Sequence, residues 1–238
     1  MNIVLFDKDE ILKPFSLKDR RIQHIIKVLK MKEGETFDAG ILDASIGKAF
    51  YSQAEKNTCK IYYTPSSIKI APLHNINLII GIIRPVNIQR AIRDLCSLGV
   101  KTMNFVTTDK SEKSYTNSKA YNNERIRNYL IEGAEQAFNP FLPKYHFYNS
   151  LSEVLENVTQ EQKIAFDNYK FTKRFSQFKP KQTETIMAIG PERGWSNKER
   201  QLLMEHNFCM LSLGERVLRT ETANITAVSI LLSKLGYI

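Results

Sequence analysis

Two short segments combine glycine with charged side chains in patterns that suit ligand binding. The first, GPERGWS at 190–196, directly follows the apolar stretch 186–189. Its glycines allow close approach to the backbone, and Pro191 restricts the path of the loop. Ser196 and Glu199 form an S-x-x-E pattern, which predicts a capping box at the start of a helix. The segment therefore indicates either a ligand-binding loop or simply a tight, well-capped strand-to-helix turn.

The second segment, LGERVLRTET at 213–222, places two arginines and two acids around an apolar pair. Thr220 or Thr222 would serve as the N-cap of a final helix, and the acid between them would favour the helix dipole. That interpretation leaves Arg216 and Arg219 unexplained, because a cation near a helix start opposes the dipole. A ligand or partner is the better explanation for the arginines.

The sequence lacks the signatures of several common ligand sites. It contains neither the G-x-G-x-x-G pattern of dinucleotide sites nor the G-K-[ST] ending of a phosphate loop, which argues against NAD enzymes and P-loop ATPases. The three cysteines and four histidines are widely spaced, so we expect no disulfide framework and no metal site. These residues are Cys59, Cys96, Cys209, His24, His74, His146 and His206.

The charge balance indicates a possible class of partner. Lys and Arg total 34 against 25 Asp and Glu, giving a formal net charge of +9 and a pI of about 9.4. This excess favours a polyanion such as RNA, because neutralised phosphates release counterions; solvated surface lysines would give the same count. The longest apolar run, 78–83, is too short to span a membrane, and charges at Asp7 and Lys8 come too early for a signal peptide. We expect a cytoplasmic protein, because an odd, scattered set of cysteines fits a reducing compartment.

The sequence from residue 71 to residue 238 predicts an α/β domain. Nearly continuous apolar runs of strand length alternate with segments of helical periodicity. This alternation predicts a mostly parallel sheet with helices on both faces, in which ligands bind at the carboxyl ends of strands. The predicted elements are strand 78–83, helix 88–98, strand 103–107, a helix whose core-facing apolar residues lie within 126–137, strands 164–166, 186–189 and 210–213, and helix 222–235.

Residues 1–70 predict a small β domain with one basic helix, followed by a proline- and serine-containing linker. Strand-like segments at 36–39, 48–51 and 58–63 are separated by glycines, and a helical pattern at 24–30 precedes them. We interpret the aromatic residues of these strands as core rather than as base-stacking surfaces. Those aromatics are Phe50, Tyr51, Tyr62 and Tyr63, and the cations near the helix are Lys18, Arg20, Arg21, Lys27, Lys30 and Lys32.

Together the two glycine segments resemble the signature pair of the RsmE family. The matching residues are 189–196 and 213–223, and 24–35, 97–100 and 134–136 are similar to other family motifs. RsmE proteins are ribosomal RNA methyltransferases of the SPOUT class, which methylate uridine at N3. The resemblance implies a trefoil-knotted α/β sheet, a PUA-like RNA-binding barrel at 1–70 and a homodimer without metal.

The resemblance also implies that loop backbones hold S-adenosylmethionine. The implied cofactor-binding residues are Gly190, Glu192, Gly194, Leu213, Gly214, Leu218, Arg219, Thr222 and Ala223. The substrate would be small-subunit ribosomal RNA. The implied RNA contacts are Lys27, Lys30, Arg84, Lys110 and Arg193.

Methylation at uracil N3 requires removal of an imide proton or stabilisation of the resulting anion. We assign anion stabilisation to Arg219, with Arg193 as the second choice, and proton removal to Glu192 or Glu221. Alternatively, Glu221 pairs with Arg216 as scaffold. Two other functions remain candidates: a ribose 2′-O methyltransferase of the same class and a non-catalytic RNA-binding factor of ribosome assembly.

Several positions depart from the family pattern. Ser97 stands where the family has Glu, Arg193 where it has Gly, and Asn139 where it has Arg. Arg84 and Lys110 replace a family Lys and Arg. The cofactor loops match well, whereas the differences fall on positions implied to face RNA.

Overall fold

The computed structural model describes residues 3–238, except for the side chain of Lys113. The chain divides into two compact units. The amino-terminal unit contains residues through Pro72 together with Ala134–Leu142, and the carboxyl-terminal unit contains Leu73–Gly133 together with Pro143–Ile238. Within the described residues, no helix has the length and apolar character needed to cross a membrane.

The amino-terminal unit is built on a five-stranded sheet with the order β1-β3-β4-β5-β2. Its elements are β1 (Val4–Phe6), β2 (Phe15–Ser16), α1 (Arg20–Gln23), β3 (Phe37–Ile41), β4 (Ser45–Glu55) and β5 (Thr58–Pro65). Only the β1–β3 pair is parallel. Helix α1 continues into a π-helical turn at His24–Val28, so the predicted helix at 24–30 is displaced towards the amino terminus.

Side chains alternate between the two faces of strands β4 and β5. Tyr51 and Tyr63 pack against the apolar core of the unit, as expected. Phe50 and Tyr62 point to the opposite face and are 36% and 48% exposed. The prediction that all four aromatics fill the core is therefore wrong for these two, because side chains one residue apart on a strand face opposite ways.

One of the predicted surface cations is bound within the amino-terminal unit. The guanidinium of Arg21 forms ion pairs with Asp19 and Glu10 at 2.9 and 2.7 Å. It also lies 5.3 and 4.9 Å from the ring centroids of Phe6 and Phe15. Arg21 therefore stabilises the fold, whereas Lys27, Lys30 and Lys32 of the same predicted cluster are exposed.

The carboxyl-terminal unit contains a seven-stranded, fully parallel sheet with the order β10-β12-β9-β11-β6-β7-β8. In chain order its elements are β6 (His74–Gly81), α2 (Pro85–Ser97), β7 (Val100–Val106), α3 (Lys113–Thr116), α4 (Asn123–Ala137), β8 (Lys144–Tyr148), α5 (Leu151–Leu155), β9 (Gln162–Phe166), β10 (Lys173–Arg174), β11 (Thr185–Ile189), α6 (Asn197–Glu205), β12 (Cys209–Ser212) and α7 (Thr220–Leu235). The predicted α/β fold with a parallel sheet is confirmed. The last turn of α4 belongs to the other unit.

A close backbone contact joins the ends of two neighbouring strands. Gly81 ends β6, which pairs in parallel with β11, and Pro191 follows β11. A Cβ atom built on Gly81 would lie only 2.4 Å from the backbone nitrogen of Pro191. Glycine at position 81 therefore permits the loop after β11 to pass directly over the end of β6.

We expect Gly81→Ala to destabilise the protein by about 1–3 kcal/mol, because the added methyl group overpacks against backbone rather than against a flexible side chain. Urea unfolding followed by the fluorescence of the single tryptophan would measure the change. An unchanged midpoint would show that the loop moves aside at little cost.

Candidate active site

Three loops meet at the carboxyl edge of the parallel sheet. Strands β12, β9 and β11 are neighbours, so the segments that follow them leave the sheet side by side. Together these segments and the start of α7 form a cleft of about 750 Å³, counting space open to solvent. The lining residues are Phe166, Asp167, Asn168, Tyr169, Ile189, Gly190, Pro191, Glu192, Arg193, Gly194, Leu213, Arg216, Val217, Leu218, Thr220 and Ala223.

The loop after β11 is a tight turn followed by a capped helix. The amide of Gly194 donates to the carbonyl of Pro191 at 2.8 Å, and Gly194 has a φ of +65°. Ser196 and Glu199 form the predicted capping box, with reciprocal hydrogen bonds of 3.1 and 2.7 Å. The strand, turn and helix thus hold the loop from both sides.

Trp195 connects this loop to the neighbouring strand. Its side chain is fully buried, and its indole N–H donates to the carbonyl of Phe166 at 3.0 Å. A Cβ atom on Gly190 would lie 3.2 Å from the indole ring, so the absence of a side chain lets the backbone rest on the ring. No separate role for Trp195 follows from the sequence pattern, although the residue belongs to the predicted ligand-binding loop.

The loop after β9 forms a cleft wall that the sequence analysis missed. The Oδ1 atom of Asp167 accepts hydrogen bonds from the amides of Tyr169 and Lys170 at 2.6 and 3.0 Å. Its Oδ2 atom accepts from Nε of Arg200 at 2.7 Å, and both side chains are buried. The guanidinium of Arg200 also lies 5.8 Å from the ring centroid of Tyr169. The only signal available was the position of Asp167 directly after a predicted strand.

The loop after β12 leads directly into the last helix. Gly214 has a φ of +141°, a conformation that favours glycine, and its amide donates to Oγ of Ser212 at 3.1 Å. Arg219 is the N-cap of α7 and makes no side-chain capping bond. The alternative in which Thr220 or Thr222 caps the helix is therefore wrong, since both lie inside its first turn.

The structure brings most of the predicted cofactor residues to the cleft but not all of them. Gly190, Glu192, Gly194, Leu213, Leu218 and Ala223 are among its lining residues, whereas Gly214, Arg219 and Thr222 are not. Glu221 is buried outside the lining, and no ion pair in residues 3–238 joins it to Arg216. Glu215, the other acid of this segment, pairs with Arg174, and both of these side chains are exposed.

The cleft has both cationic and anionic side chains at its rim. Nζ of Lys110 donates to the carbonyl of Arg193 at 3.5 Å, and Arg193 itself lines the cleft. The hydroxyl of Tyr121 donates to the carbonyl of Ile83 at 2.6 Å. Burial raises the pKa of Tyr121, and the negative charge of Glu192 raises it further. Tyr121 is itself buried and does not line the cleft, so the charged groups at or near the rim are the carboxylate of Glu192 and the cations of Arg193 and Lys110.

The remaining predicted RNA contacts are not among the residues that line the cleft. Arg84 is exposed and forms the N-cap of α2 without a side-chain capping bond. Lys27 and Lys30 are exposed on the amino-terminal unit, and Lys30 has a φ of +56°. Among the described residues, no three His, Cys, Asp or Glu side chains are grouped as metal ligands would be.

Comparison with known proteins identifies the class to which this fold and cleft belong. A family model described as an RNA methyltransferase domain matches residues 69–232. The protein is thus an RNA methyltransferase. Ribosomal RNA small subunit methyltransferase E 1 of Borreliella burgdorferi is 35% identical over 240 residues, covering 99% of both chains. The corresponding protein of Treponema pallidum is 32% identical, covering 98% of this chain and 91% of its own. The chain belongs to the ribosomal RNA small subunit methyltransferase E (RsmE) family.

Solved structures share the fold of this chain. A methyltransferase structure from Legionella pneumophila, determined with bound S-adenosylmethionine, superposes with a TM-score of 0.76 at 25% identity, covering 93% of this chain and 92% of that one. A structure from Porphyromonas gingivalis gives a TM-score of 0.81 at 21% identity, covering 99% and 100% of the two chains, and supports the fold alone.

We expect Arg200→Met to destabilise the protein by about 3–5 kcal/mol, because it leaves the carboxylate of Asp167 buried without its cation. Urea unfolding would measure the loss. The double variant Asp167→Asn/Arg200→Met should recover part of it, since no buried charge remains and the amide oxygen still accepts from the loop. Equal destabilisation of the single and double variants would contradict an electrostatic origin.

Proposed function

We propose that the protein transfers a methyl group from S-adenosylmethionine to N3 of a uridine in small-subunit ribosomal RNA. The observation that carries the proposal is the convergence of three strand-end loops, two of which contain glycine beside charged side chains, on one cleft at the carboxyl edge of the sheet. The names of the RsmE relatives supply the RNA class. A cytoplasmic location and a homodimer remain predictions that accompany this function.

The cleft fits the cofactor. Its walls combine apolar side chains with loop backbone and a few charged groups, as small-molecule sites do. A Cβ atom on Gly194 or Gly214 would meet no atom within 4 Å, so the space beside both backbones is open. When bound, S-adenosylmethionine supplies a methyl group already activated by its sulfonium.

Two groups of residues would hold the cofactor. The cleft-lining group would make direct contacts, and Gly214, Arg219 and Thr222 would shape the backbone beside it. We propose that the direct contacts come from Gly190, Glu192, Gly194, Leu213, Leu218 and Ala223.

We expect the purified protein to bind S-adenosylhomocysteine, the demethylated product, stoichiometrically in the presence of chelator. Ala223→Leu should weaken this binding at least tenfold, because the larger side chain enters the cleft from helix α7. Ser233→Leu, on an exposed turn of the same helix, is the matched control and should bind normally. Calorimetry would measure both, and a flat titration of the unaltered protein would refute the proposed cofactor.

Proton removal from uracil N3 can be assigned to one of the two predicted acids. Glu192 is exposed and lines the cleft, whereas Glu221 is buried outside the lining. We propose that Glu192 accepts the proton, since a general base must reach the group that it deprotonates. Glu221 would then act on the dipole at the start of α7.

Cations would stabilise the negative charge that develops on the uracil oxygens. Arg219 is exposed at the N-cap of α7, where it forms no capping bond and faces the positive end of the dipole. Arg193, at the cleft rim, is the second choice. Lys110 and Arg84 would contact phosphates, as would Lys27 and Lys30 on the amino-terminal unit.

The finer features of the fold are proposals as well. Two observations support a knotted carboxyl-terminal segment. Helix α7 packs against α2, and the last strand, β12, lies between β9 and the edge strand β10. The small mixed sheet with a basic helical segment supports a PUA-like RNA-binding role for the amino-terminal unit. We also propose that residues 1–70 and 71–238 divide these roles between them.

We expect Arg219→Ala to lower single-turnover methyl transfer about 100-fold, the scale of losing one preorganised donor. The affinity for S-adenosylhomocysteine should change much less. Single-turnover methyl transfer and product affinity would be compared with those of Arg216→Ala, which alters a cleft-lining arginine in the same loop. If transfer and product affinity fall together in Arg219→Ala, then Arg219 binds the cofactor, and anion stabilisation passes to Arg193.

A further inference from the structure

The outer face of strands β4 and β5 presents an exposed pair of aromatic rings. Phe50 and Tyr62 are directly opposed in the antiparallel register. Their ring centroids lie 4.9 Å apart with an interplanar angle of 13°, so the rings are stacked. The inner face of the same strands is filled by Ala49 and Ile61, so this aromatic pair is not part of the core.

Polar and cationic side chains surround the aromatic pair on this face. Lys48 and Thr64 are opposed on one side of it, and Ser52 and Lys60 on the other. A protein-binding surface normally has an apolar centre wider than two rings, which this face lacks. Alternating aromatic and cationic groups are instead what single-stranded nucleic acid binds, through stacked bases and neutralised phosphates.

Two acids with printed partners lie near this face, and neither of them pairs with Lys60. Nζ of Lys48 pairs with Asp38 at 2.8 Å. Glu33 accepts hydrogen bonds from Oγ of Ser52 and from the amide of Gln53, both at 2.8 Å. These bonds lower the pKa of Glu33, which therefore stays ionised. Lys60 forms no ion pair within the part of the chain that the structure describes, so it is the cation on this face available to a phosphate.

We propose that Phe50 and Tyr62 form a base-stacking site for an unpaired nucleotide of the RNA substrate, with Lys60 contacting an adjacent phosphate. The inference rests on the proposed function for the presence of RNA, and it adds a second contact area built from residues outside the cleft. The basic character of the chain, at a net charge of +9, favours RNA over a second copy of the same protein as the occupant.

The test compares RNA with and without bases. Fluorescence anisotropy would measure binding of the full-length protein to a labelled single-stranded oligouridylate and to an abasic oligomer of the same length. Phe50→Ala/Tyr62→Ala should weaken oligouridylate binding about tenfold and leave abasic binding unchanged. Phe50→Tyr and Tyr62→Phe keep both rings and should retain affinity. Lys60→Ala should weaken the binding of both oligomers. It should also lower the slope of log affinity against log salt by the amount expected for about one phosphate contact.

Two results would overturn the stacking site. One is equal affinity of the double alanine variant and the unaltered protein for oligouridylate. The other is a fall in molecular mass on sedimentation in that variant, which would make the face a contact between copies. Unchanged product binding and an unchanged urea midpoint would confirm that the variant is folded. If either result occurs while cofactor binding and methyl transfer persist, the stacking site fails alone; absence of methyl transfer in the unaltered protein would refute the proposed function.

Discussion

The cleft depends on the buried indole of Trp195, which fixes two of its three loops at once. The ring supports the backbone of Gly190 after β11, while its N–H donates to Phe166 at the end of β9. A buried indole N–H requires such an acceptor, so the loop is tied to one position relative to the neighbouring strand. Since the capping box begins one residue later, helix α6 is held in the same arrangement. Gly190 is glycine for the same reason: a side chain there would crowd the ring.

A second constraint concerns charge at helix starts. Helices α2 and α7 both have arginine at the N-cap, Arg84 and Arg219, and neither forms a side-chain capping bond. A helix start already has a positive potential, so each arginine costs stability unless an anion is present. RNA phosphates and a deprotonating uracil are anions of the required kind. Under the proposed function, the charge that opposes each helix dipole in the isolated protein would favour the complex with substrate.

The order of elements in the carboxyl-terminal unit was predictable because its strands are buried on both faces and appear as continuous apolar runs. Strand β8 was missed because it lies at the sheet edge, where Lys144, His146 and Phe147 are exposed and no apolar run exists. Among site features, the two glycine segments were recognisable from local pattern. Phe50 was misassigned because the strand pattern did not reveal which face would be covered.

The wall formed after β9 could not be inferred from local pattern, because it depends on a pair 33 positions apart in the chain. Asp167 uses its two oxygens separately: one holds the amides of Tyr169 and Lys170, and the other holds Arg200. An apolar pair of similar volume would fill the space with a smaller desolvation penalty, but it could not bind two backbone N–H groups. We infer that the buried charge is retained for the loop geometry that it imposes, since that geometry places Tyr169 at the cleft.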